Sequence, residues 1–239
     1  MRIFIIILAI IGLFYSSITK ATKKEPVIVT SSKSIDPYSM IKEGELLLKD
    51  GDIVTRLNQD PASYFIKNFN RNDKSYSHAG IVVIEKGYPF VYHIVNGEES
   101  PDEKMRKDSL NWFCNPRKNL AFGIYRYNFS TAEIINLKTI LNKWYVKGIQ
   151  FDRAFNLKTD YKMYCSEMIS KLLLKATKNR IITGTTTLTT AEAKSCSIYM
   201  HLPFAYTSNM QILSIDNLYI HPYCSLIKKF DYNFSQQIK

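Results

Sequence analysis

One cysteine and two histidines in this sequence have the chemical types that a thiol-based reaction requires. Cys165 is followed by apolar residues that recur at helical spacing (Met168, Ile169, Leu172, Leu173 and Ala176). The spacing places Cys165 in the first turn of a helix, where unpaired N–H groups and the helix dipole favour thiolate over thiol. Because the thiolate is the nucleophilic form, Cys165 is a candidate nucleophile. The alternative is that this small thiol only packs in the core.

The two histidines, His78 and His93, lie on neighbouring segments that predict an antiparallel hairpin. Residues 76–84 and 89–95 are rich in β-branched and aromatic side chains, with a turn signal between them. A two-residue loop would make His78 and His93 diagonal neighbours on one face, within ~7–8 Å of each other. A loop of odd length would put them on opposite faces. Together with Cys165 they supply a nucleophile, a base and a group that orients the base.

The remaining pattern predicts a mixture of helices and strands around these residues. We expect helices at 41–48, from Pro61, at 108–113, at 131–147 capped by Ser130, and from Cys165, with strands at 53–56 and 122–127. Residues 191–210 show no clear period, and residues 212–220 predict a final strand pair or an extended segment.

Composition indicates one globular domain with an N-terminal extension. The chain has 239 residues, is 46% hydrophobic and carries a formal charge of +11, but no nucleic-acid-binding motif accompanies that charge. Arg2 and the apolar run that follows it predict a secretory signal, or an uncleaved anchor, over residues 1–21. We expect a linker or arm over 22–40 and the folded domain over 41–239.

The four cysteines, Cys114, Cys165, Cys196 and Cys224, would permit disulfides in an exported protein. If Cys165 stays free, at most one pair forms, and we predict Cys114 with Cys224. No C-x-x-C pair is present and the cysteines are widely spaced, so the sequence predicts no metal site.

Several short motifs, taken in their order along the chain, resemble a known family. They are Gly51-Asp52-Ile53-Val54, Tyr76-Ser77-His78-Ala79-Gly80-Ile81-Val82, Val91-Tyr92-His93, Phe151-Asp152 and Tyr164-Cys165-Ser166-Glu167. Together they resemble the YiiX/YaeF-like permuted papain-fold enzymes, which are related to NlpC-type cell-wall peptidases and to lecithin retinol acyltransferase. The resemblance spans about residues 45 to 230, with the histidines preceding the cysteine.

The resemblance implies an α+β fold, a circularly permuted papain-like (NlpC-type) core with an antiparallel sheet packed against helices. It implies Cys165 as nucleophile, His78 as general base and His93 at the third polar position. In several YiiX-like sequences that position is a glutamate, so Glu98 and Glu99 are alternative orienting groups. No cofactor is implied.

Two further residues beside the cysteine are candidates for substrate contacts. Tyr164 could line the cleft, with core packing as the alternative, and Glu167 could reach the substrate, although the helix dipole equally explains an acid in the first turn. We expect an exported cysteine amidase or peptidase that acts on a peptide or acyl-amide substrate, such as a cell-wall peptide. The alternatives are an acyltransferase or thioesterase acting on lipid-linked substrates, and an inactive binding module with the same fold.

Overall fold

A six-stranded antiparallel sheet carries both histidines. This computed structural model describes residues 36–97 and 100–232. The sheet strands are β1 (Ile53–Asn58), β2 (His78–Glu85), β3 (Tyr88–His93), β4 (Arg106–Ser109), β5 (Asn119–Tyr127) and a C-terminal strand, Cys224–Asp231. Their spatial order is Cys224–Asp231, β5, β1, β2, β3, β4. The predicted signal segment, residues 22–35 of the predicted linker, Glu98 and Glu99 lie outside the described residues.

Four short strands form two small ladders beside the main sheet. Strands β6 (Gln150–Phe151) and β7 (Lys162–Met163) pair in parallel immediately before the cysteine helix. Strands β8 (Thr186–Thr187) and β9 (Gln211–Ile212) pair antiparallel. The Cys224–Asp231 strand is therefore β10.

Seven α-helices occur in the described part of the chain. They are α1 (Pro37–Leu47), α2 (Pro61–Lys67), α3 (Leu110–Phe113), α4 (Thr131–Lys147), α5 (Cys165–Ala176), α6 (Thr190–Met200) and α7 (Phe204–Thr207). The predicted capping box of α4 is confirmed, because the Ser130 hydroxyl accepts from the Glu133 N–H and Glu133 accepts from the Ser130 N–H. The helix ends at Gly148, whose φ of 69° is the left-handed conformation that glycine adopts readily. None of the helices in the described ranges combines the length and the apolarity that crossing a membrane requires.

The β2–β3 hairpin has the predicted two-residue turn. Glu85 pairs with Tyr88, and Lys86 and Gly87 have φ values of 50° and 86°, as a type I′ turn requires. Farther along the hairpin the strands approach closely at Gly80, where an added Cβ would lie 2.4 Å from Val91 Cγ1. The predicted register is confirmed, and it places the two histidines on one face.

Apolar residues cover both faces of the sheet. Helices α4 and α5 pack on one face through residues such as Leu137, Leu141, Leu172 and Leu173. Helices α1 and α3 cover the other face through Ile41, Leu110 and Phe113. A third apolar cluster joins α2 to the α6 and β9 region through Phe69, Ala193, Cys196, Met210 and Ile212.

The structure corrects three expectations about secondary structure. The predicted 108–113 helix is a strand, β4, followed by a single helical turn, because Ser109 caps α3 through the Trp112 N–H and so starts the helix at Leu110. The stretch 191–210 contains α6 and α7, and the extended 212–220 segment is largely replaced by a 3₁₀ turn at Asp216–Leu218. The long C-terminal strand instead begins at Cys224.

The predicted disulfide between Cys114 and Cys224 is also wrong. All four cysteines are free. Cys114 belongs to the apolar cluster on the α1 side of the sheet, whereas Cys224 packs against the cluster on the α4 side. The sheet therefore lies between the two thiols.

Candidate active site

Cys165 is the first residue of α5, as the helical spacing predicted. The residue is 8% exposed, and it lines a cleft beside β2. Burial raises the pKa of the Cys165 thiol, with smaller opposing contributions from the Ala79 and Ser166 hydrogen bonds and from the Arg56 cation. The expected preference for thiolate is therefore outweighed, because desolvation penalises the charged form more than the helix terminus stabilises it.

His78 and His93 are in direct contact. Nε2 of His78 lies 3.0 Å from Nδ1 of His93. His93 is fully buried, whereas His78 is partly exposed and lines the same cleft as Cys165. Burial lowers the pKa of His78 well below its ordinary value, and the nearby Arg56 and His93 lower it further. His78 therefore favours the neutral form at neutral pH.

A carboxylate continues this chain of contacts. Asp108 on β4 lies 2.8 Å from Nε2 of His93 and also accepts hydrogen bonds from Arg106. Burial opposes ionisation of Asp108, but the His93 and Arg106 hydrogen bonds prevail and hold the pKa of this carboxyl below its usual range. Asp108 pairs with Val91 across the ladder, so it is a diagonal neighbour of His93.

These contacts assign the protons of both imidazoles. An ionised carboxylate only accepts hydrogen bonds, so His93 donates to Asp108 from Nε2. A neutral His93 then accepts at Nδ1 from the Nε2–H of His78. In this assignment, which follows from the hydrogen-bond network, the lone pair of His78 is on Nδ1, the nitrogen that does not contact His93. A base in that tautomer can accept a proton from a thiol.

Phe113 and Arg56 enclose the histidine pair. The Phe113 ring lies 5.6 Å from the His78 ring and 4.9 Å from the His93 ring, measured between centroids. Arg56, which pairs with His78 across β1 and β2, donates to the Phe113 carbonyl at 2.9 Å and lies over the Phe113 ring. An aromatic wall and a buried cation therefore disfavour protonation of His78.

The cleft in front of Cys165 has mainly apolar walls. It lies between α2, the end of the β3 strand, the loop after β6 and the β9 region. Its apolar lining comprises Ile66, Phe69, Ile94, Val95, Phe151, Phe155, Ile212, Leu213 and Ile215. Several of its polar side chains are bonded within the protein, including Ser63 to Asp60, Ser166 to the Leu213 carbonyl and Ser214 to Asp216.

Tyr164 and Glu167, the two predicted substrate contacts, lie in different environments. Tyr164 lines the cleft, where its hydroxyl accepts the Leu213 N–H at 2.7 Å and its ring packs 4.6 Å from that of Phe155. Glu167 is fully buried and is not among the residues that line the cleft. It accepts the Tyr164 N–H and pairs with Lys171 at 2.9 Å. Glu167 therefore supports the helix start, and we propose no substrate contact for it.

Three residues that sequence reasoning did not select belong to this region: Asp108, Arg56 and Ser77. Asp108 was assigned to a helix, although the Ser109 capping signal leaves residues 106–108 free to form a strand. Arg56 was recognised only as part of a strand. Ser77 directly precedes the histidine, and nothing in its type or spacing marks it.

A family model that describes a permuted papain-like amidase, YaeF/YiiX, of the C92 peptidase family, matches residues 47–215. The chain belongs to this family. The family resemblance and the fold class predicted from the sequence are thereby confirmed. The general functional class of the chain is that of a cysteine hydrolase. The match includes both histidines, Asp108 and the start of α5.

Comparison with solved structures supports the same fold. The chain is similar to the metalloprotein yiiX from Escherichia coli O157:H7, with a TM-score of 0.62 and 17% sequence identity. The match covers 76% of this chain and 97% of that one. A search of curated proteins found no match. Within residues 36–97 and 100–232, no group of three or more His, Cys, Asp or Glu side chains is arranged to hold a metal ion.

Proposed function

We propose that this chain is a cysteine amidase in which Cys165 attacks an amide carbonyl and His78 acts as its base. One observation carries the proposal. The hydrogen-bonded series Asp108, His93, His78 ends in the cleft that also contains Cys165. A nucleophile, a base and groups that fix the tautomer of the base are thereby combined at the start of one helix.

The reaction starts from a neutral thiol and a neutral imidazole. As Sγ of Cys165 attacks the carbonyl carbon, the thiol proton moves to Nδ1 of His78, and the carbonyl oxygen becomes an oxyanion. The helix N-terminus supplies N–H groups that have no intrahelical partner and can stabilise that charge. His78 then gives the proton to the leaving amine as the C–N bond breaks, which leaves a thioester.

Hydrolysis of the thioester uses the same groups. His78 accepts a proton from water, the hydroxide adds to the thioester carbonyl, and a second oxyanion forms at the same place. Collapse breaks the C–S bond and releases the acid, while the proton on His78 returns to sulfur. Asp108 and His93 keep their positions throughout and stabilise the imidazolium that forms twice in each cycle.

Alkylation by iodoacetamide, followed by mass spectrometry, tests the nucleophile. We expect labelling of Cys165 in the wild type at about pH 9, where more of the thiol is ionised, and loss of that adduct in Cys165→Ala, with hydrolysis of an N-acyl p-nitroanilide abolished. Cys224→Ala is the matched control, since Cys224 is a half-buried cysteine on β10 that does not line the cleft, and it should keep full activity. A Cys165→Ala enzyme as active as the wild type would refute the proposal. A wild type that is labelled but turns over no amide or ester would favour an inactive binding module.

His78→Ala tests the base. Removing the imidazole should lower the acylation rate by ~10²–10⁴-fold at neutral pH, the usual contribution of a positioned general base. An undiminished acylation rate would exclude His78 as the base.

An acyl-transfer or thioesterase reaction on lipid-linked substrates is a second candidate, and the cleft walls favour it. Ile66, Phe69, Phe155 and Ile212 present apolar surface beside the nucleophile, which suits an aliphatic acyl chain. p-Nitrophenyl esters of two to eight acyl carbons share one leaving group, so their kcat/KM values isolate the effect of chain length. A rise with each methylene, reduced by Ile66→Asn, would support this candidate. A flat series together with active peptide amides would support the first.

We also propose that the protein is exported and acts on peptides of the cell envelope. The support is the sequence of residues 1–21, with Arg2 before an apolar run of secretory type. Mass spectrometry of the protein recovered from cell fractions tests this. Finding it in the envelope or medium, trimmed within or just after this segment or retained as an anchor, would support export. Exclusive recovery from the cytosol would contradict it.

A further inference from the structure

Ser77 has a buried hydroxyl for which no hydrogen-bond partner exists among the described residues. Its side chain is part of the cleft lining, and the residue is 5% exposed. The Ser77 main chain is fixed, because its N–H donates to the Arg56 carbonyl at 3.0 Å. Burying a hydroxyl without a partner is unfavourable, so its retention at this position needs an explanation.

The other serine hydroxyls of the cleft do not share this property. Ser63, Ser166 and Ser214 donate to Asp60, the Leu213 carbonyl and Asp216 at 2.9, 2.6 and 2.7 Å. Those three hydroxyls support the walls of the cleft. The Ser77 hydroxyl is available to a bound molecule.

Its position relative to the sulfur limits what that molecule can be. Ser77 directly precedes His78, and both residues line the cleft that contains Cys165. A substrate carbonyl must enter this cleft to meet the thiol, so the Ser77 hydroxyl lines the space in which the reaction takes place. A hydroxyl donates as well as accepts, and a developing oxyanion is the acceptor that forms in this space.

We propose that the Ser77 hydroxyl is a catalytic hydrogen-bond donor to the oxyanion of the tetrahedral intermediate. The role rests on the proposed function of Cys165 and deepens it. Ser77 and the unpaired N–H groups at the start of α5 would bind the oxyanion from two different elements. The unbonded hydroxyl of the free enzyme is the preorganised form of that site.

Comparison of two reactions of the same thiol tests the proposal. Hydrolysis of p-nitrophenyl butyrate passes through an oxyanion, whereas alkylation by iodoacetamide displaces iodide at a saturated carbon and forms none. Ser77→Ala should lower kcat for the ester by ~10²–10³-fold, as removal of one oxyanion donor does elsewhere, with a much smaller change in KM. The alkylation rate of Cys165 should stay within about twofold of wild type.

Stability gives a second, independent readout. Removing an unbonded buried hydroxyl should leave Tm unchanged or raise it. The control is Thr207→Val, which deletes a buried hydroxyl that is bonded to the Ala193 carbonyl at 2.8 Å and does not line the cleft. That variant should lower Tm and leave kcat unaffected. Ser77→Cys, which keeps a weak donor at the same place, should have an intermediate kcat.

Three results would overturn the assignment. One is ester hydrolysis by Ser77→Ala at the wild-type rate. Another is an equal loss of ester hydrolysis and alkylation, which would mean that Ser77 acts on the thiol or on His78. The third is a Tm that falls as in Thr207→Val, which would mean a structural role. If instead wild-type Cys165 resists iodoacetamide even at about pH 9, the proposed nucleophile fails, and that failure is distinguishable from the failure of Ser77.

Discussion

Burial shifts the pKa values of Cys165 and His78, the two groups that exchange a proton, in opposite directions. It raises the pKa of the Cys165 thiol and lowers the pKa of His78, so both are neutral in the resting enzyme at neutral pH. Such a site differs from a thiolate–imidazolium pair, in which the nucleophile is already ionised. The free-energy cost of ionising the thiol must then be offset in the transition state, where the protein stabilises the oxyanion and the imidazolium together.

The pH dependence of alkylation follows from this neutral resting state. Because the raised pKa of Cys165 keeps the thiol protonated, the rate of labelling by iodoacetamide should still rise with pH above 8, with a slope near one in a logarithmic plot. Ester hydrolysis should be nearly independent of pH from 7 to 8, since the lowered pKa of His78 already leaves it unprotonated. Labelling that reaches a plateau below pH 7 would indicate a preformed thiolate.

Asp108 is a positioning residue, and its substitution by asparagine should affect catalysis through His93. An amide in place of the carboxylate can donate to Nε2 of His93, which would reverse the tautomers and leave Nδ1 of His78 protonated. We expect Asp108→Asn to lower kcat by at least ~10-fold, below the ~10⁴-fold limit known for a carboxylate directly beside the base. NMR titration of His78 should show an altered pKa.

Asp102→Asn is the control for that experiment, because Asp102 is an exposed carboxylate in the loop between β3 and β4. It should leave both kcat and the titration unchanged. A fully active Asp108→Asn would show that His93 alone sets the tautomer of His78.

At the scale of elements, the start of α5 depends on a buried acid. Burial raises the pKa of Glu167 from 4.5 to about 7, against the opposing effect of Lys171, with Asp152 raising it slightly and the Tyr164 N–H lowering it. Between these two pH values the folded protein retains a proton that the unfolded chain has released. The stability of the fold therefore decreases as pH rises from 4.5 to 7, and Glu167 contributes no further change above that.

Glu167→Gln should remove this dependence. The wild-type free energy of unfolding should fall by on the order of 3 kcal/mol relative to that of the variant between pH 4.5 and 7. Urea unfolding at several pH values measures the difference. Parallel curves for the two proteins would show that Glu167 titrates normally, whatever the offset caused by losing the Lys171 pair.

The elements could be predicted where the signal is local. The hairpin turn, the Ser130 cap and the apolar spacing after Cys165 each specify an element through neighbouring residues. Strand β4 could not be recognised, because Arg106, Lys107 and Asp108 have low strand propensity and form a strand only through pairing with β3. Asp108, the third member of the hydrogen-bonded series with His78 and His93, was missed for the same reason.

The remaining site residues required tertiary information. That Ser77 has no partner, or that Arg56 is 2% exposed, depends on the packing of segments far apart in sequence. The cleft walls are another example, since α2, Phe155 and the β9 region come together only through the third apolar cluster. The spacing of residues within one helix or strand does not predict such contacts.

For the molecule as a whole, the formal charge of +11 affects how the protein associates with charged surfaces. We predict that the protein sediments with phosphatidylglycerol vesicles at low ionic strength and not with phosphatidylcholine vesicles. Raising the salt above physiological strength should release it, because the Debye length falls from ~8 Å at 0.15 M toward ~3 Å at 1 M. Binding that survives high salt would point to an apolar contact instead.

The close approach of β2 and β3 at Gly80 has a consequence for chemistry as well as for packing. A methyl group there would overlap Val91 Cγ1 and lie 3.0 Å from the Tyr92 carbonyl oxygen, so the two strands would have to move apart. His78 and His93 are carried by those strands, and a hydrogen bond weakens steeply as its ends separate. The efficiency of proton transfer from the thiol to His78 thus depends on a position that bears no side chain and takes no part in the reaction.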